Sequence, residues 1–225
     1  MPVQQIDEFW RIKVDSDAWD KVLHLGMQQK FKQGERVVYP GERVTQLRYL
    51  HSGAMRMKRT SLDGNEKIIM HVERNSLFSE VPFFTGEHIS SYFTCHKDAV
   101  VYSFSRDTVD DMLVTHPDIA KDIIRTLSLK VSVLCNQLAS LGLDTLEQRI
   151  VKFILLRYNA APLSSNEIIS LGSLRMKDIA SILGVHRATL YKALKSLEKL
   201  GLIKMLSENR LQILNIDALA ANAYH

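Results

Sequence analysis

One stretch of the sequence, between Gly86 and Gly142, constrains the fold more than any other. From Pro117 onward it suits a long helix, because proline is favoured in the first turn and no glycine interrupts the next 24 residues. Its apolar residues recur with alternating spacings of four and three, as in the a and d positions of a heptad. They are Ala120, Ile124, Leu127, Val131, Leu134, Leu138 and Leu141. We expect this seam to form the interface of a parallel homodimer; the alternative is that it lies on the chain's own barrel.

The sequence before this helix differs in its content of glycine and in the spacing of its apolar residues. Six of the ten glycines lie between Gly26 and Gly86, and short apolar runs alternate there with turn signals. The runs lie at 36–39, 47–50, 54–57, 67–72, 92–95 and 99–104. Short strands at this spacing are typical of an antiparallel sandwich or barrel. Asp63-Gly64 is the best hairpin turn, and Ser52-Gly53 predicts another break between strands.

These patterns predict an α+β protein in three parts. Residues 1–116 form an antiparallel, jelly-roll-like β-barrel, residues 117–143 a dimerisation helix and hinge, and residues 144–225 a second domain. The segment from Asp144 to Gln148 has the spacing of a capping box, which starts a helix running to about Tyr158. A loop follows at 160–166.

Composition excludes several classes of protein. Hydrophobic residues are 46% and charged residues 24% of the chain, as in globular proteins. No stretch approaches the roughly 20 apolar residues that span a bilayer, and residues 1–15 lack the apolar segment of a secretion signal. We therefore expect a cytoplasmic protein without a membrane partner. Cys95 and Cys135 are too few for a disulfide framework, an iron–sulfur cluster or a structural zinc site.

The positive charge lies in the second half of the chain. Residues 1–144 contain 18 basic and 19 acidic residues, whereas residues 145–225 contain 11 and 6. Between positions 175 and 204 the numbers are 7 and 2. This asymmetry indicates that the second half meets a polyanion, and the alternative is chance clustering on a solvated face.

Residues 173–197 have the pattern of a helix-turn-helix, with Ser173 as a cap and Gly184 in the tight turn. Each helix would bury one apolar face. The buried residues are Ile179, Ala180 and Leu183 in the first helix, and Leu190, Leu194 and Leu197 in the second. Apolar segments at 202–205 and 210–214 flank a polar turn and predict the hairpin of a wing.

The outer face of the second helix is basic, which suits insertion into the major groove of DNA. The candidate DNA-binding residues are Arg175, Lys177, His186, Arg187, Ala188, Tyr191, Lys192 and Lys195. Arg187 is the candidate for a bidentate contact to guanine, and Tyr191 and Lys192 would reach bases or phosphates one turn on. The other cations would contact phosphates and set affinity. His186 would cap the helix, touch phosphate or simply be exposed.

The order of these features resembles the CRP/FNR superfamily of bacterial transcription regulators, over about residues 28–215. The matching motifs are Phe31-Lys-Gln-Gly-Glu, Tyr39-Pro-Gly-Glu-Arg, Leu50-His-Ser-Gly-Ala-Met-Arg-Met, Leu62-Asp-Gly-Asn-Glu-Lys and Gly184-Val-His-Arg-Ala-Thr-Leu-Tyr-Lys. The resemblance implies an effector-binding barrel, a dimer helix and a winged helix-turn-helix domain that effector binding reorients. It also implies a palindromic operator, by two-fold symmetry, and RNA polymerase as a partner.

The resemblance places an effector site in the barrel. The candidate effector-binding residues are Ser79, Glu80, Ser90, Ser91, Leu134 and Cys135. Members that bind cyclic nucleotides hold the cyclic phosphate with an Arg-Ser pair, where this sequence has Ser90-Ser91. Serine cannot supply the bidentate cation, so we expect an unidentified small-molecule effector other than cyclic AMP. Glu80 is retained and could accept hydrogen bonds from a hydroxylated ligand.

No metal or haem is expected. Residues 77–81 offer neither Cys nor His to a haem, and the eight histidines include no metal-binding pair. Four aromatic residues beside the site would line a pocket for an uncharged or aromatic metabolite, or belong to the core. They are Phe83, Phe84, Tyr92 and Phe93. Cys135 would be buried and inert, with a redox-sensing thiol as the alternative.

The recognition helix also departs from the family pattern. Relatives commonly follow the recognition arginine with a glutamate that reads cytosine, whereas Arg187 is followed by Ala188, which fits a thymine methyl group. Lys192 stands where the motif usually ends in arginine. We expect a half-site that differs from the usual one and is richer in A·T.

The sequence therefore predicts an effector-responsive, homodimeric transcription regulator. It predicts no enzyme, because no nucleophile motif or phosphate-binding loop is present. Two alternatives stay open. One is a constitutive DNA-binding protein with a vestigial barrel, and the other is a small-molecule-binding module whose basic helices contact proteins.

Overall fold

The computed structural model describes residues 11–12, 17–160, 168–171, 174–208 and 210–223. They divide into two compact units, one extending to Leu134 and the other beginning at Cys135. Among the described segments, every helix is too short or too polar to traverse a lipid bilayer.

The first unit is built on an antiparallel sheet, as predicted. Its strands are β1 (Arg11–Ile12), β2 (Met27–Phe31), β3 (Arg36–Val38), β4 (Gln46–Thr60), β5 (Glu66–Glu73), β6 (Ser76–Phe78) and β7 (Tyr92–Ser105). The strand order is β1-β5-β4-β7-β2, with β3 beside β7 and β6 beside β4. The two-residue β1 is parallel to β5. Helix α1 (Glu80–Thr85) joins β6 to β7, and α2 (Arg106–Thr115) follows β7.

The predicted break at Ser52-Gly53 is wrong, because β4 continues through it as one strand of 15 residues. The pairing of β4 with β7 shifts register at Ser52 and Ala54. Gly53 has a φ of +92°, and a Cβ there would lie 2.2 Å from the carbonyl oxygen of Asp98. Gly53 therefore marks a bulge within a long strand and not a turn that ends it. The hairpin turn at Asp63-Gly64 is confirmed, since it joins β4 to β5.

The long helix, α3 (Pro117–Leu143), begins at the predicted proline and extends one residue past Gly142. One of its faces is buried within the first unit. The buried residues are Ile119, Asp122, Ile123, Thr126, Lys130 and Val133. The face on which the helix lies on its own barrel is thus distinct from the predicted seam.

The described residues of the second unit form four further helices and a small sheet. They are α4 (Leu146–Ala160), β8 (Ile168–Ser170), α5 (Met176–Leu183), α6 (Arg187–Lys199), β9 (Ile203–Ser207), β10 (Arg210–Ile213) and α7 (Ile216–Ala221). The hairpin of β9 and β10 is the predicted wing, and β8 extends it to three strands in the order β8-β10-β9. Each apolar residue assigned to the interior of α5 and α6 is buried.

Helix starts follow the predicted capping chemistry in one case and differ in another. At α4, Gln148 N donates to Thr145 Oγ1 at 3.2 Å and Thr145 N donates to Gln148 Oε1 at 2.7 Å, which completes a capping box. At α5 the N-cap residue is Arg175, whose backbone N–H donates to Asp178 Oδ2 at 3.0 Å. Ser173, the predicted cap, and residues 161–166 of the predicted loop lie outside the described residues.

Asp144 connects the end of α3 to α4. Its carboxylate accepts hydrogen bonds from Ser140 Oγ at 2.7 Å and Lys152 Nζ at 2.6 Å, and its carbonyl accepts one from Arg149 at 3.1 Å. Burial disfavours the charged carboxylate, but the hydrogen bonds from Lys152 and Ser140 outweigh it and lower the pKa of Asp144.

We expect Asp144→Asn to lower the Tm of the full-length protein by about 5 °C, since it weakens two hydrogen bonds to a charged group. The lowered pKa of Asp144 means that its stabilisation is present at neutral pH and is lost as the pH falls below about 4. Thermal scans at pH 7 and pH 3 test this, with Asp217→Asn on the exposed face of α7 as the control. A Tm difference as large at pH 3 as at pH 7 would contradict it.

Candidate nucleic-acid interface and effector site

The turn between α5 and α6 leaves one face of α6, the proposed recognition helix, exposed to solvent. Gly184 ends α5 with a φ of +70°, which glycine adopts without strain. The backbone N–H of Val185 donates to the carbonyl of Ala180 at 3.0 Å, which closes the turn. His186 occupies the N-cap of α6, but its side chain makes no capping hydrogen bond and is exposed.

The predicted DNA-binding residues share one property, which is accessibility. Tyr191 is half-buried and the rest are exposed: Arg175, Lys177, His186, Arg187, Ala188, Lys192 and Lys195. Leu190, Leu194 and Leu197 hold the opposite side of α6 in the core. The arrangement presents cations and hydrogen-bond donors along one helix face, as a major-groove reader requires.

Arg187 is the most constrained of these side chains. Its Nη2 donates to the Tyr191 hydroxyl at 3.2 Å and to Glu208 Oε1 at 3.4 Å, and its guanidinium lies 5.4 Å from the centre of the Tyr191 ring. The hydrogen bond to Tyr191 and the charge of Glu208 raise the pKa of Arg187. Sequence reasoning missed Glu208, because the wing turn is distant in sequence from the recognition helix.

In the barrel, a buried ion pair occupies the predicted effector position. Lys130 Nζ on α3 donates to both carboxylate oxygens of Glu80 at 2.8 Å and to the Leu77 carbonyl at 3.0 Å. Glu80 is 1% exposed and Lys130 is 7% exposed. Glu80, the predicted acceptor for a hydroxylated ligand, is thus already paired with a cation that sequence reasoning missed.

Two arginines contact the segment around Glu80. Ser79 has a φ of +57°, an unusual conformation for a residue with a side chain. Its hydroxyl donates to the Phe78 carbonyl at 2.6 Å and accepts from Arg48 at 3.4 Å. Arg106 donates to the Phe83 carbonyl and lies over the Phe83 ring at 4.4 Å.

The remaining predicted effector residues differ in exposure. Ser90 is exposed and Ser91 is buried. Leu134 and Cys135 are exposed on α3 of the single chain, where Leu134 belongs to the predicted seam. The buried thiol is that of Cys95, where burial raises the pKa to about 11.

The four aromatic residues beside the site differ in their surroundings. Phe83 and Phe93 belong to the hydrophobic core, whereas Phe84 is exposed. Tyr92 lies on the opposite face of β7 from Phe93. Its hydroxyl donates to Glu66, and the Arg36 guanidinium lies 4.2 Å from the centre of its ring. For Phe83 and Phe93 the core interpretation is correct.

Comparison with known proteins agrees with this architecture. A model of the cyclic nucleotide-binding domain matches residues 28–116, and a model of the Crp-like helix-turn-helix domain matches residues 148–221. The chain belongs to the CRP/FNR family of transcription regulators. This family is regulatory and DNA-binding, not enzymatic.

Curated relatives of this regulator are similar over most of their length. It is 25% identical over 176 residues to the CRP-like cAMP-activated global transcriptional regulator of Mycobacterium tuberculosis, covering 78% of this chain and 79% of that protein. It is 22% identical over 195 residues to the global nitrogen regulator of Synechococcus elongatus, covering 85% and 87%.

Solved structures share the fold. The c-di-GMP responsive global regulator CLP of Xanthomonas campestris matches with a TM-score of 0.77 at 16% identity, over 89% of this chain and all of that one. CprK complexed with OCPA matches with a TM-score of 0.74 at 20% identity, over 92% and 96% of the two chains.

We expect removal of one partner of the Lys130–Glu80 pair to destabilise the barrel strongly. Lys130→Met leaves a buried carboxylate without its cation, which typically costs about 3–5 kcal/mol and lowers Tm by about 10 °C. Glu80→Met leaves a buried ammonium and should cost a similar amount. The double variant should be more stable than either single variant, because it buries no unpaired charge. Calorimetry of the three variants tests this, and additive losses in the double variant would contradict it.

Proposed function

We propose that this CRP/FNR-family regulator is a homodimer that binds a small-molecule effector in its barrel and a palindromic operator through its two recognition helices. The observation that carries the proposal is the two-faced character of α3. One face inserts Lys130 into the barrel, and another leaves an apolar seam exposed.

The exposed seam supports dimerisation. Five of its predicted members are between 44% and 73% exposed in the single chain, while Leu127 packs partly on the barrel core. The five are Ile124, Val131, Leu134, Leu138 and Leu141. A heptad row of this length needs an apolar partner, which a second copy of α3 supplies in register. A two-fold axis along the seam would pair two recognition helices and so favour an inverted repeat in DNA.

The buried ion pair supports a link between effector binding and the seam. Lys130 directly precedes Val131 on α3, so a shift of Lys130 rotates or displaces the seam itself. A ligand that uses Glu80 must compete with Lys130 for that carboxylate. Effector binding would therefore change the position of α3 relative to the barrel and, through the dimer, the orientation of the recognition helices.

The same residues support an effector other than cyclic AMP. The cyclic phosphate would face Ser90 and Ser91, which carry no charge, and Glu80 is already neutralised by Lys130. We therefore propose an uncharged or polar metabolite, and no haem, iron–sulfur cluster or metal cofactor. RNA polymerase remains a proposed partner.

The ion pair also favours a second candidate function, a constitutive regulator with a vestigial barrel. A carboxylate satisfied by the chain's own lysine needs no ligand. In that case the protein would bind its operator equally well with and without metabolites. The remaining alternative, a module that contacts proteins through its basic helices, has less support because the Crp-like helix-turn-helix match favours DNA as the partner.

Selection of genomic fragments by the purified protein tests the proposal. We expect an enriched inverted repeat whose binding is weakened by salt, and stronger enrichment with a small-metabolite extract but not with cyclic AMP.

Arg187→Ala should relax base preference at one position of each half-site by about 1–3 kcal/mol. Lys195→Ala should weaken binding to all sequences alike and reduce the slope of affinity against salt concentration by about one.

In the selection with the unchanged protein, enrichment unaffected by extract would favour the vestigial barrel. No enrichment under any condition would favour a protein partner.

Dimerisation is tested by Leu138→Asp, which places a carboxylate at the most exposed position of the seam. We expect the variant to be monomeric at micromolar concentration, because a charge buried in an apolar interface costs several kcal/mol. Ser132→Asp, on an exposed part of the same helix outside the seam, is the control and should remain dimeric. Sedimentation velocity measures both, and a dimeric Leu138→Asp would overturn the proposed interface.

A further inference from the structure

The basic face of α6 has an acidic neighbour at the tip of the wing. Glu208 lies beside the end of β9 and its carboxylate is 3.4 Å from Arg187 Nη2, although both side chains are largely exposed. An acidic residue on a DNA-facing surface is repelled by phosphate. Glu208 is held at this position by its ion pair with Arg187.

The contacts of Arg187 occupy the part of the guanidinium that reads bases. The group has five N–H donors in a fixed fork, and its two bidentate edges are formed by Nη2 with Nε and by Nη2 with Nη1. The Tyr191 hydroxyl and Glu208 Oε1 both accept hydrogen bonds from Nη2. Because both edges include Nη2, these two acceptors compete with guanine for a bidentate contact to Arg187.

Glu208 affects the two kinds of DNA acceptor differently. The O6 and N7 atoms of guanine are neutral and offer two acceptors to the fork. A phosphate also offers two oxygens, but it brings a negative charge close to the carboxylate of Glu208. The repulsion between phosphate and carboxylate opposes a phosphate contact by Arg187 far more than it opposes a guanine contact.

We propose that Glu208 is a specificity-determining residue that competes with DNA for Arg187 and restricts this arginine to guanine. The inference rests on the proposed role of Arg187 in reading bases. Glu208 acts through Arg187 and is therefore a positioning residue. Its effect is to suppress binding to non-operator DNA.

Glu208→Gln tests the inference, because glutamine keeps the size of the side chain and removes its charge. The operator is the duplex most enriched by the unchanged protein from a random library, and a scrambled duplex of equal composition measures non-specific binding. We expect non-specific affinity to rise about fivefold, the upper range for one exposed ion pair, and operator affinity to rise less. The salt slope of non-specific binding should steepen by about one, as Arg187 gains a phosphate contact.

Two further proteins complete the experiment. Asp217→Asn changes the net charge equally at an exposed site on α7 and should leave the ratio of operator to non-specific affinity unchanged. In the Arg187→Ala background, Glu208→Gln should no longer alter that ratio, because its target is gone.

The outcomes separate this inference from the function on which it rests. Equal gains for operator and scrambled DNA, or a loss of operator affinity in Glu208→Gln, would show that Glu208 does not restrict Arg187 and would overturn the inference alone. An Arg187→Ala variant with unchanged base preference would overturn the role of Arg187 and, with it, the role of Glu208.

Discussion

The ion pair between Lys130 and Glu80 is the interaction on which the arrangement of the first unit depends. Both groups are almost fully buried, so each would carry a large desolvation cost without the other. Lys130 comes from α3 and Glu80 from α1, and the Leu77 carbonyl accepts the third ammonium hydrogen. The pair therefore fixes which face of α3 meets the barrel and, by exclusion, which face stays exposed.

This constraint explains why the apolar seam remains accessible although α3 packs on its own unit. A helix stabilised on the barrel by apolar contacts alone would place its most hydrophobic stripe inward. Here the inward face contains the polar residues Asp122, Thr126 and Lys130 between Ile119, Ile123 and Val133. Of these polar residues, Lys130 finds its partners in the barrel, in Glu80 and the Leu77 carbonyl, and this pairing sets the rotation of the helix about its axis.

The second unit shows a different use of charge. The outer face of α6 is exposed to solvent, so its ion pairs are weak and other partners can replace them. Tyr191 and Glu208 accept hydrogen bonds from Arg187 at 3.2 and 3.4 Å, and the proposed contact to guanine would replace them. A buried pair such as Lys130–Glu80 defines structure, whereas the exposed pair Arg187–Glu208 is the one that the proposed DNA complex would exchange.

The sequence by itself determined those elements that local chemistry specifies. Alternating spacings of four and three gave α3, Gly184 with its apolar neighbours gave the helix-turn-helix, and Asp63-Gly64 gave the hairpin. It did not determine that Ser52-Gly53 is a bulge, since that depends on the close approach of Asp98 from β7. It also did not pair Lys130 with Glu80 or Arg187 with Glu208. These contacts join residues 50 and 21 positions apart, and only the tertiary structure decides which distant charges meet.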